Sequence, residues 1–509
     1  MEGLVVKQQK YSFLNMEEKE RDCEMKGCKR KIICTGLVLS LILGGCGSAP
    51  EEGGQAAVKL DPDNPTPVTV WHYYNGAQLE AFDELVKEFN ETVGKEQGIV
   101  VEGYSQGNVN DLENSVLDSV NHKVGASELP SIFAAYADTA YAVDKLGYAV
   151  DLKPYLSEEE QGRFVDSYIE EGEFSEDGSL KIFPIAKSTE IFMLNKTDWD
   201  KFAQATGAKL ENLKTVEGIT ETAKAYYEWT DSLTEEPEDG KAFFGRDAMA
   251  NYFLIGGKQL GVELFSVKDG KPVLNFDQET IRKIWDNYYV PFVKGYFAAS
   301  GRFRSDDIKT GNIIAFVGSS SGATFFPDEV VLNDTESYPI NMEVMECPQF
   351  EGGEAFAVQQ GAGMVVTNTD EKQIYASVQF LKWFTEDERN IRFSVASGYL
   401  PVTKSANDVE KIQANASLPE GNMLSIISAA INTVNQNTLY TTKAFENGTS
   451  ARSILEYSMS DKAAEDRAAV VERLQAGMSL EEAAGEFVSD ESFESWYEGT
   501  KAELEALMK

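Results

Sequence analysis

The sequence predicts an α/β protein of two lobes, and three observations carry that reading. Short apolar strand patterns alternate with amphipathic helical patterns from Val68 to Tyr136, the rhythm of a parallel sheet covered by helices. The rhythm breaks around Phe183-Pro184, and a second block of strands and helices follows. The 464 residues from Cys46 to Lys509 are too many for one hydrophobic core and fit two.

The chain opens on a segment that stands outside the fold. Lys26, Lys29, Arg30 and Lys31 form a positive stretch, and Ile32 to Leu43 follow as a largely apolar run of 12 residues. A bilayer span needs roughly 20 such residues, whereas the apolar part of a signal peptide is about this long. Leu43-Gly44-Gly45-Cys46 closes the stretch, and a polar run begins at Gly47. Leu-Gly-Gly-Cys resembles the bacterial lipobox, whose cysteine is diacylated and becomes the new N-terminus. Residues 1–45 are therefore expected to be a lipoprotein signal peptide, with Met25 or Met16 as candidate starts and Cys46 as the lipidation site.

Residues 46–66 are rich in Gly, Ala, Pro and Glu and lack apolar periodicity, as a flexible tether does. Val68-Thr69-Val70-Trp71 reads as the first strand, and Leu79, Phe82, Leu85, Val86 and Phe89 recur on one face of a helix. Ile99-Val100-Val101 reads as a second strand, with Leu112, Val116, Val120 and Val124 marking a second helix. Ile132 to Tyr136 reads as a third strand, with a helix after it. Past the break, Ile191 to Asn195 is a strand pattern. A helix-rich stretch runs from Asp198 to about Gly261, interrupted by the acidic loop Glu235 to Gly240. Leu274 to Phe276 is strand-like, and Gln278 to Val290 is helical. Ile313 to Val317 is a strand that ends in Gly318-Ser319-Ser320-Ser321-Gly322. Met364 to Val366 is a further strand, followed by a helix carrying Ile374, Val378, Leu381, Trp383 and Phe384. From Asn407 to Lys509 the pattern gives helices and loops only.

Charge narrows the partners. Of 46 Lys/Arg and 84 Asp/Glu, eight and six lie in residues 1–45, so the part from Cys46 onward has a formal charge near −40. Such a surface repels phosphate backbones, which argues against nucleic acid. It also repels anionic lipid, so membrane attachment needs acyl chains, and dual acylation suffices. Cys46 and Cys347 are the two cysteines of that part. With Cys46 lipidated, one thiol builds neither an intramolecular disulfide nor a structural zinc site. Cys347 reads as a small buried hydrophobe.

Catalytic patterns are weak. Gly318-Ser319-Ser320-Ser321-Gly322 has the spacing of a nucleophile elbow, in which the base histidine follows the serine. His72 and His122 both precede Ser320, so the segment reads instead as a polar loop where backbone N–H groups and hydroxyls grip a ligand oxygen. Two histidines 50 residues apart without a cysteine partner do not make a transition-metal site. No phosphate-binding glycine motif follows a strand, and no metal or cofactor is expected. Carboxylate pairs are inevitable among so many acids, so a secreted carbohydrate-active hydrolase using such a pair is the alternative reading. Aromatic residues make up 11% of the chain, and Trp71, Tyr73, Tyr74, Tyr136 and Tyr399 fall at strand ends or loops. Flat rings beside hydrogen-bonding loops suit sugars and polyols.

Several segments together carry a family resemblance. Trp71-His72, Phe89-Asn90, Pro184 with Ser188-Thr189, Asn195-Lys196 and Ser320-Ser321-Gly322 stand in order. Gly361-Ala362-Gly363, Phe380-Leu381 and Gly398-Tyr399-Leu400-Pro401-Val402 follow. In that order, behind a lipobox and between about residues 68 and 460, they resemble the extracellular solute-binding proteins of ABC importers, family 1. Within that carbohydrate and polyol group the pattern is most similar to the sn-glycerol-3-phosphate-binding branch. The resemblance implies a periplasmic-binding-protein-like type II fold: two α/β lobes joined by hinge strands, with a ligand cleft between them. Residues 67–186 and about 312–368 are the expected first lobe, and residues 187–311 and about 369–509 the second.

The same resemblance implies a non-enzymatic, monomeric receptor, lipid-anchored on the outer face of a Gram-positive cell membrane. It would capture a sugar, polyol or glycerophosphoryl-type solute and deliver it to permease and ATPase subunits. Carried over residue by residue, it assigns hydrogen-bond donation to Ser188 and Ser320, a close backbone N–H to Gly361 and stacking or hydrogen bonding to Tyr399. Arg452 becomes the partner of a phosphate or carboxylate. This chain departs from the branch at three places. The branch's ligand tyrosine falls near Val109, its glutamate at Ala137 beside Asp138, and its tryptophans at Arg246-Asp247 and Met249. Asp138, Arg246 and Asp247 are therefore expected to give the cleft a more polar wall.

Overall fold

The computed structural model describes residues 58–509, apart from residue 176 and residues 416–421. The signal peptide, the lipidation site at Cys46 and most of the tether lie outside the described residues. The tether expected to reach residue 66 has already joined the body by Leu60, which packs against the first core. Among the described residues no helix is long and apolar enough to cross a membrane.

The first lobe is built on a four-stranded sheet ordered Gly363–Val366, Ile132–Ala135, Thr66–His72, Ile99–Ser105. Thr66–His72 runs parallel to both of its neighbours, with Thr66 opposite Ile99 and Val70 opposite Ile132. Gly363–Val366 closes one edge antiparallel, with Gly363 opposite Ala135. Ile132–Ala135 and Gly363–Val366 are buried at every position, which is why both read as unbroken apolar runs. The helix Ala77–Glu91 lays Phe82, Leu85, Val86 and Phe89 against this sheet.

The second lobe has its own four-stranded sheet, ordered Met342–Glu346, Glu190–Asn195, Ala315–Ser319, Phe244–Arg246. Phe192 and Leu194 of its central strand enter a second core with Trp285 and Tyr289. The long helix Gly448–Gln475 and the terminal helix Asp490–Leu507 contribute Leu455, Met459 and Trp496 to that core.

Three expectations are corrected here. The strand expected at Ile313 to Val317 was assigned to the first lobe, but Ala315–Ser319 lies inside the second sheet, with Val317 opposite Phe192 and parallel to Arg246. Met342–Glu346 joins the same sheet from the other side. The stretch from Glu371 to Val402, expected in the second lobe, packs on the first core, because Phe380 and Trp383 meet Phe89 edge-on at 5.2 and 5.1 Å. The region from Asn407 onward is not wholly helix and loop: Thr438–Tyr440 forms a short strand parallel to Phe356–Val358.

The lobes meet in a hinge of three crossing segments. Ser188 and Gln360 exchange backbone hydrogen bonds, each at 2.9 Å, and Lys187 N donates to Leu400 O at 3.1 Å. Gly361 has φ +92°, and a β-carbon there would lie 2.7 Å from Ala186 O. Only glycine accommodates both that backbone region and that approach. The Lys187 side chain is fully buried, donates to Gly361 O at 2.8 Å and pairs with the buried Glu171 carboxylate. Gln359 Nε2 donates to the same carboxylate oxygen at 2.6 Å. A charge so deeply buried is stable only with its partner in place.

Candidate functional site

A cleft of about 340 Å³ opens between the lobes, with the hinge residues Val358, Gln359 and Gln360 at its floor. The wall of the first lobe comes from two helix N-termini. Asn108 caps the helix Val109–Val120 through a capping box with Asp111, presenting Val109, Asn110 and Glu113. Tyr136 ends the strand Ile132–Ala135 and leads into the helix Ala137–Lys145, which presents Asp138.

The opposite wall comes from two helices 200 residues apart in sequence that pack together. Met249–Gln259 supplies Asn251, Leu254 and Ile255. Gly448–Gln475 supplies Arg452, Ser453, Glu456 and Tyr457, which share a face through their three- and four-residue spacing. The segment Tyr440 to Thr442 completes the rim.

The two helices of the second wall are stitched by polar contacts. Glu456 accepts from the backbone N–H groups of Met249 at 3.2 Å and Ala250 at 2.8 Å, so its carboxylate caps the Met249–Gln259 helix, whose own N-cap Ala248 carries no acceptor. Arg452 Nη2 donates to Asn251 Oδ1. Asn251 Nδ2 donates to Glu190 Oε1 at 2.9 Å, and Arg246 Nη2 donates to Glu190 Oε2 at 2.8 Å. A buried chain of alternating donors and acceptors thus runs from the second sheet to the cleft surface.

Asp138 crosses between the walls. Its carboxylate accepts from the Phe445 N–H and lies against Gly448, where any β-carbon would overlap it. Burial pushes Asp138 up to about 6, partly offset by the Arg452 guanidinium and reinforced by Glu113. Glu113 is also raised by burial, against the hydrogen bond it accepts from Thr139 Oγ1 at 2.9 Å.

The cleft therefore joins rings from Tyr136, Tyr440 and Tyr457 with the amides of Asn110, Gln359 and Gln360. The Gln360 Oε1 atom has no hydrogen-bond partner among the described residues. Such a surface can stack on and hydrogen-bond a polyhydroxylated molecule. Among the described residues no group of three or more His, Cys, Asp or Glu is placed to hold a metal ion.

The eight residues singled out from the sequence divide into three sets. Asp138 and Arg452 line the cleft. Ser188, Ser320, Gly361 and Tyr399 gather at the hinge behind it. Ser319 Oγ donates to Ser188 Oγ at 3.1 Å, the Tyr399 and Tyr73 hydroxyls stand 3.1 Å apart, and Ala362 N donates to the Tyr73 hydroxyl at 3.4 Å. Ser320 Oγ is fully buried with no partner among the described residues.

Arg246 and Asp247 do not form a wall of the cleft. Arg246 is buried against Glu190 and the Tyr252 ring, and Asp247 Oδ1 accepts from Arg304 N at 2.8 Å, because partners within the second lobe take up both side chains. Sequence reasoning missed Asn251, Glu456 and Tyr457. Asn251 did leave a trace, as a lone amide in the otherwise apolar run Met249 to Ile255.

Comparison with known proteins adds identity to this geometry. The family model described as bacterial extracellular solute-binding protein matches residues 84–420. The sn-glycerol-3-phosphate-binding periplasmic protein UgpB of Brucella melitensis is 23% identical over 368 residues, covering 68% of this chain and 77% of that protein. UgpB of Mycobacterium tuberculosis, solved in complex with glycerophosphocholine, superimposes with TM-score 0.63 at 15% identity over 87% of this chain and 99% of that one. The cyclic α-maltosyl-1,6-maltose binding protein of Arthrobacter globiformis gives TM-score 0.61 at 16% identity over 88% of this chain and all of that one. These likenesses carry the fold: two α/β lobes of the periplasmic-binding-protein type II class, as the first reading of the sequence expected.

Proposed function

The chain belongs to the bacterial extracellular solute-binding proteins, and from that premise we propose that it is the substrate-binding component of an ABC importer. It captures a sugar, polyol or glycerophosphoryl-type solute in the interlobe cleft and delivers it to the permease. Binding draws the lobes together about the hinge at Lys187, Ser188, Gln360 and Leu400, the hinge closure of two-lobed receptors. The observation that carries this reading is the cleft itself, where three tyrosines and four side-chain amides from both lobes and the hinge line one space. Lipidation at Cys46 anchors the protein on the outer face of the membrane and keeps it close to its permease, raising the local concentration there.

Thermal unfolding in the presence of sugars, polyols and their phosphates tests the proposal. A true ligand raises Tm in proportion to the logarithm of its concentration over Kd. Tyr457→Ala, at a half-exposed cleft position, should weaken that ligand about 10- to 100-fold while leaving the unliganded Tm within about 1 °C. Absence of any stabilisation at millimolar solute across the panel would overturn the reading.

A further inference from the structure

We propose that Glu456 and Asp138 are anion-excluding specificity residues: with the protein's own carboxylates they occupy the places a phosphorylated solute would use, so the cleft selects uncharged polyhydroxylated solutes. This rests on the solute-binding reading above and narrows it. The N-terminus of a helix is a ready anion site, because its first amides are unpaired and the helix dipole is positive there. Two such termini reach the cleft from the second wall. At Met249–Gln259 both oxygens of Glu456 already take the first amides, Met249 N at 3.2 Å and Ala250 N at 2.8 Å. At Gly448–Gln475 the N-cap Asn447 makes no side-chain cap, and the Asp138 carboxylate rests against the first residue, Gly448.

The remaining cation is also engaged. Arg452 is the one Lys or Arg that lines the cleft among the described residues, and its guanidinium donates to Asn251 Oδ1. Lys187, beneath the floor, is held by Glu171 and Gly361 O. Against these stand four lining carboxylates, Glu113, Asp138, Glu171 and Glu456. A phosphomonoester dianion entering here meets a carboxylate in or against the first turn of each helix that opens on the cleft, Asp111 and Asp138 on the first wall, Glu456 and Asp138 on the second, and an excess of like charge. A hydroxylated, uncharged solute meets the side-chain amides of Asn110 and Gln360, and Gln360 Oε1 has no partner among the described residues. Those groups pair with hydroxyls without a charge penalty.

Isothermal titration of the purified full chain tests this, with uncharged mono-, di- and trisaccharides and polyols, glycerol 3-phosphate, glycerophosphocholine and inorganic phosphate as probes. An uncharged solute is expected to bind at least 100-fold tighter than any of the phosphorylated probes, and Glu456→Gln to tighten glycerol 3-phosphate at least 10-fold. If a phosphorylated probe is the tightest ligand of the wild type, the exclusion is wrong, while the solute-binding reading stands. If no probe binds, both fall together. If Glu456→Gln folds and leaves phosphate affinity unchanged, Glu456 has no excluding role. Should that variant not fold, Asp138→Asn and the wild-type ranking carry the same test.

Discussion

Asn251 joins Arg452 to Glu190. One face of its buried carboxamide donates to Glu190 Oε1 at 2.9 Å, and the other accepts from the Arg452 guanidinium. A carboxamide serves both partners at once because it carries a donor and an acceptor on a single planar group. The consequence is that the position of a guanidinium at the cleft surface is set from inside the second lobe.

Asn251→Ala should therefore act in two places. It removes a donor from a buried carboxylate and a partner from Arg452, and the loss of stability should be about 2–3 kcal/mol in urea unfolding. Ligand affinity should fall as well, because Arg452 is no longer held. Asn251→Leu, which fills the space but restores neither hydrogen bond, should show the same loss of affinity. A variant with full affinity and reduced stability would mean that the contact is structural alone.

Lys187 and Glu171 make a second prediction. Their side chains are 1% and 4% exposed, so Lys187→Met strands the carboxylate in the hinge. The expected loss is roughly 3–5 kcal/mol by equilibrium unfolding. Lys187→Met combined with Glu171→Met should recover much of it, since removing a whole buried pair is tolerated far better than removing half. A double variant no better than the single one would contradict this.

Gly361→Ala separates two roles for one residue. With φ +92° and Ala186 O 2.7 Å from a β-carbon, the alanine must displace the hinge backbone. A loss of about 2 kcal/mol or more is expected in the ligand-free protein. An unchanged unliganded Tm with weakened ligand would instead mark Gly361 as a ligand contact.

Asp247 predicts a pH dependence. Burial pushes its carboxyl from 3.8 up to about 6. Between those values the folded chain holds a proton that the unfolded chain has released, so this group's contribution to stability falls as pH rises through the window and is fully lost above it. Asp247→Asn removes the titration and keeps an acceptor for Arg304 N. The unfolding free energy of the variant minus that of the wild type should grow from pH 4 to pH 6 and then level, by at most ~3 kcal/mol in all. A difference that stays flat across that range would refute the assignment.

The sheets were legible where strands are buried on both faces. Ile132 to Ala135 and Ile191 to Leu194 are continuous apolar runs because neither side meets water. Met342–Glu346 was not seen, because it is a half-exposed edge strand whose Glu343 and Glu346 interrupt the apolar pattern. Phe244–Arg246 and Thr438–Tyr440 are three residues each, too short for any periodicity to register. Lobe membership was misread for Ala315–Ser319 because an apolar strand does not declare which sheet it enters.

The site followed the same division. Arg452 stands at a position the family resemblance marks and Asp138 beside one, and both line the cleft. Glu456 acts only through its packing against a helix that begins 207 residues earlier in the chain, and no local pattern encodes that meeting. Arg246 was misplaced because its position before a helix leaves open whether the side chain turns toward solvent or inward to Glu190.

The strand order has a consequence in time. The first sheet is completed at its edge by Gly363–Val366 and covered by helices that end at Ser397. The second sheet needs Met342–Glu346, and its core needs Trp496. A growing chain can therefore finish neither lobe until most of it has been made, and the first three strands spend that interval without their antiparallel edge. The protein stays unfinished through most of its synthesis, which is the form in which a chain is threaded through an export channel.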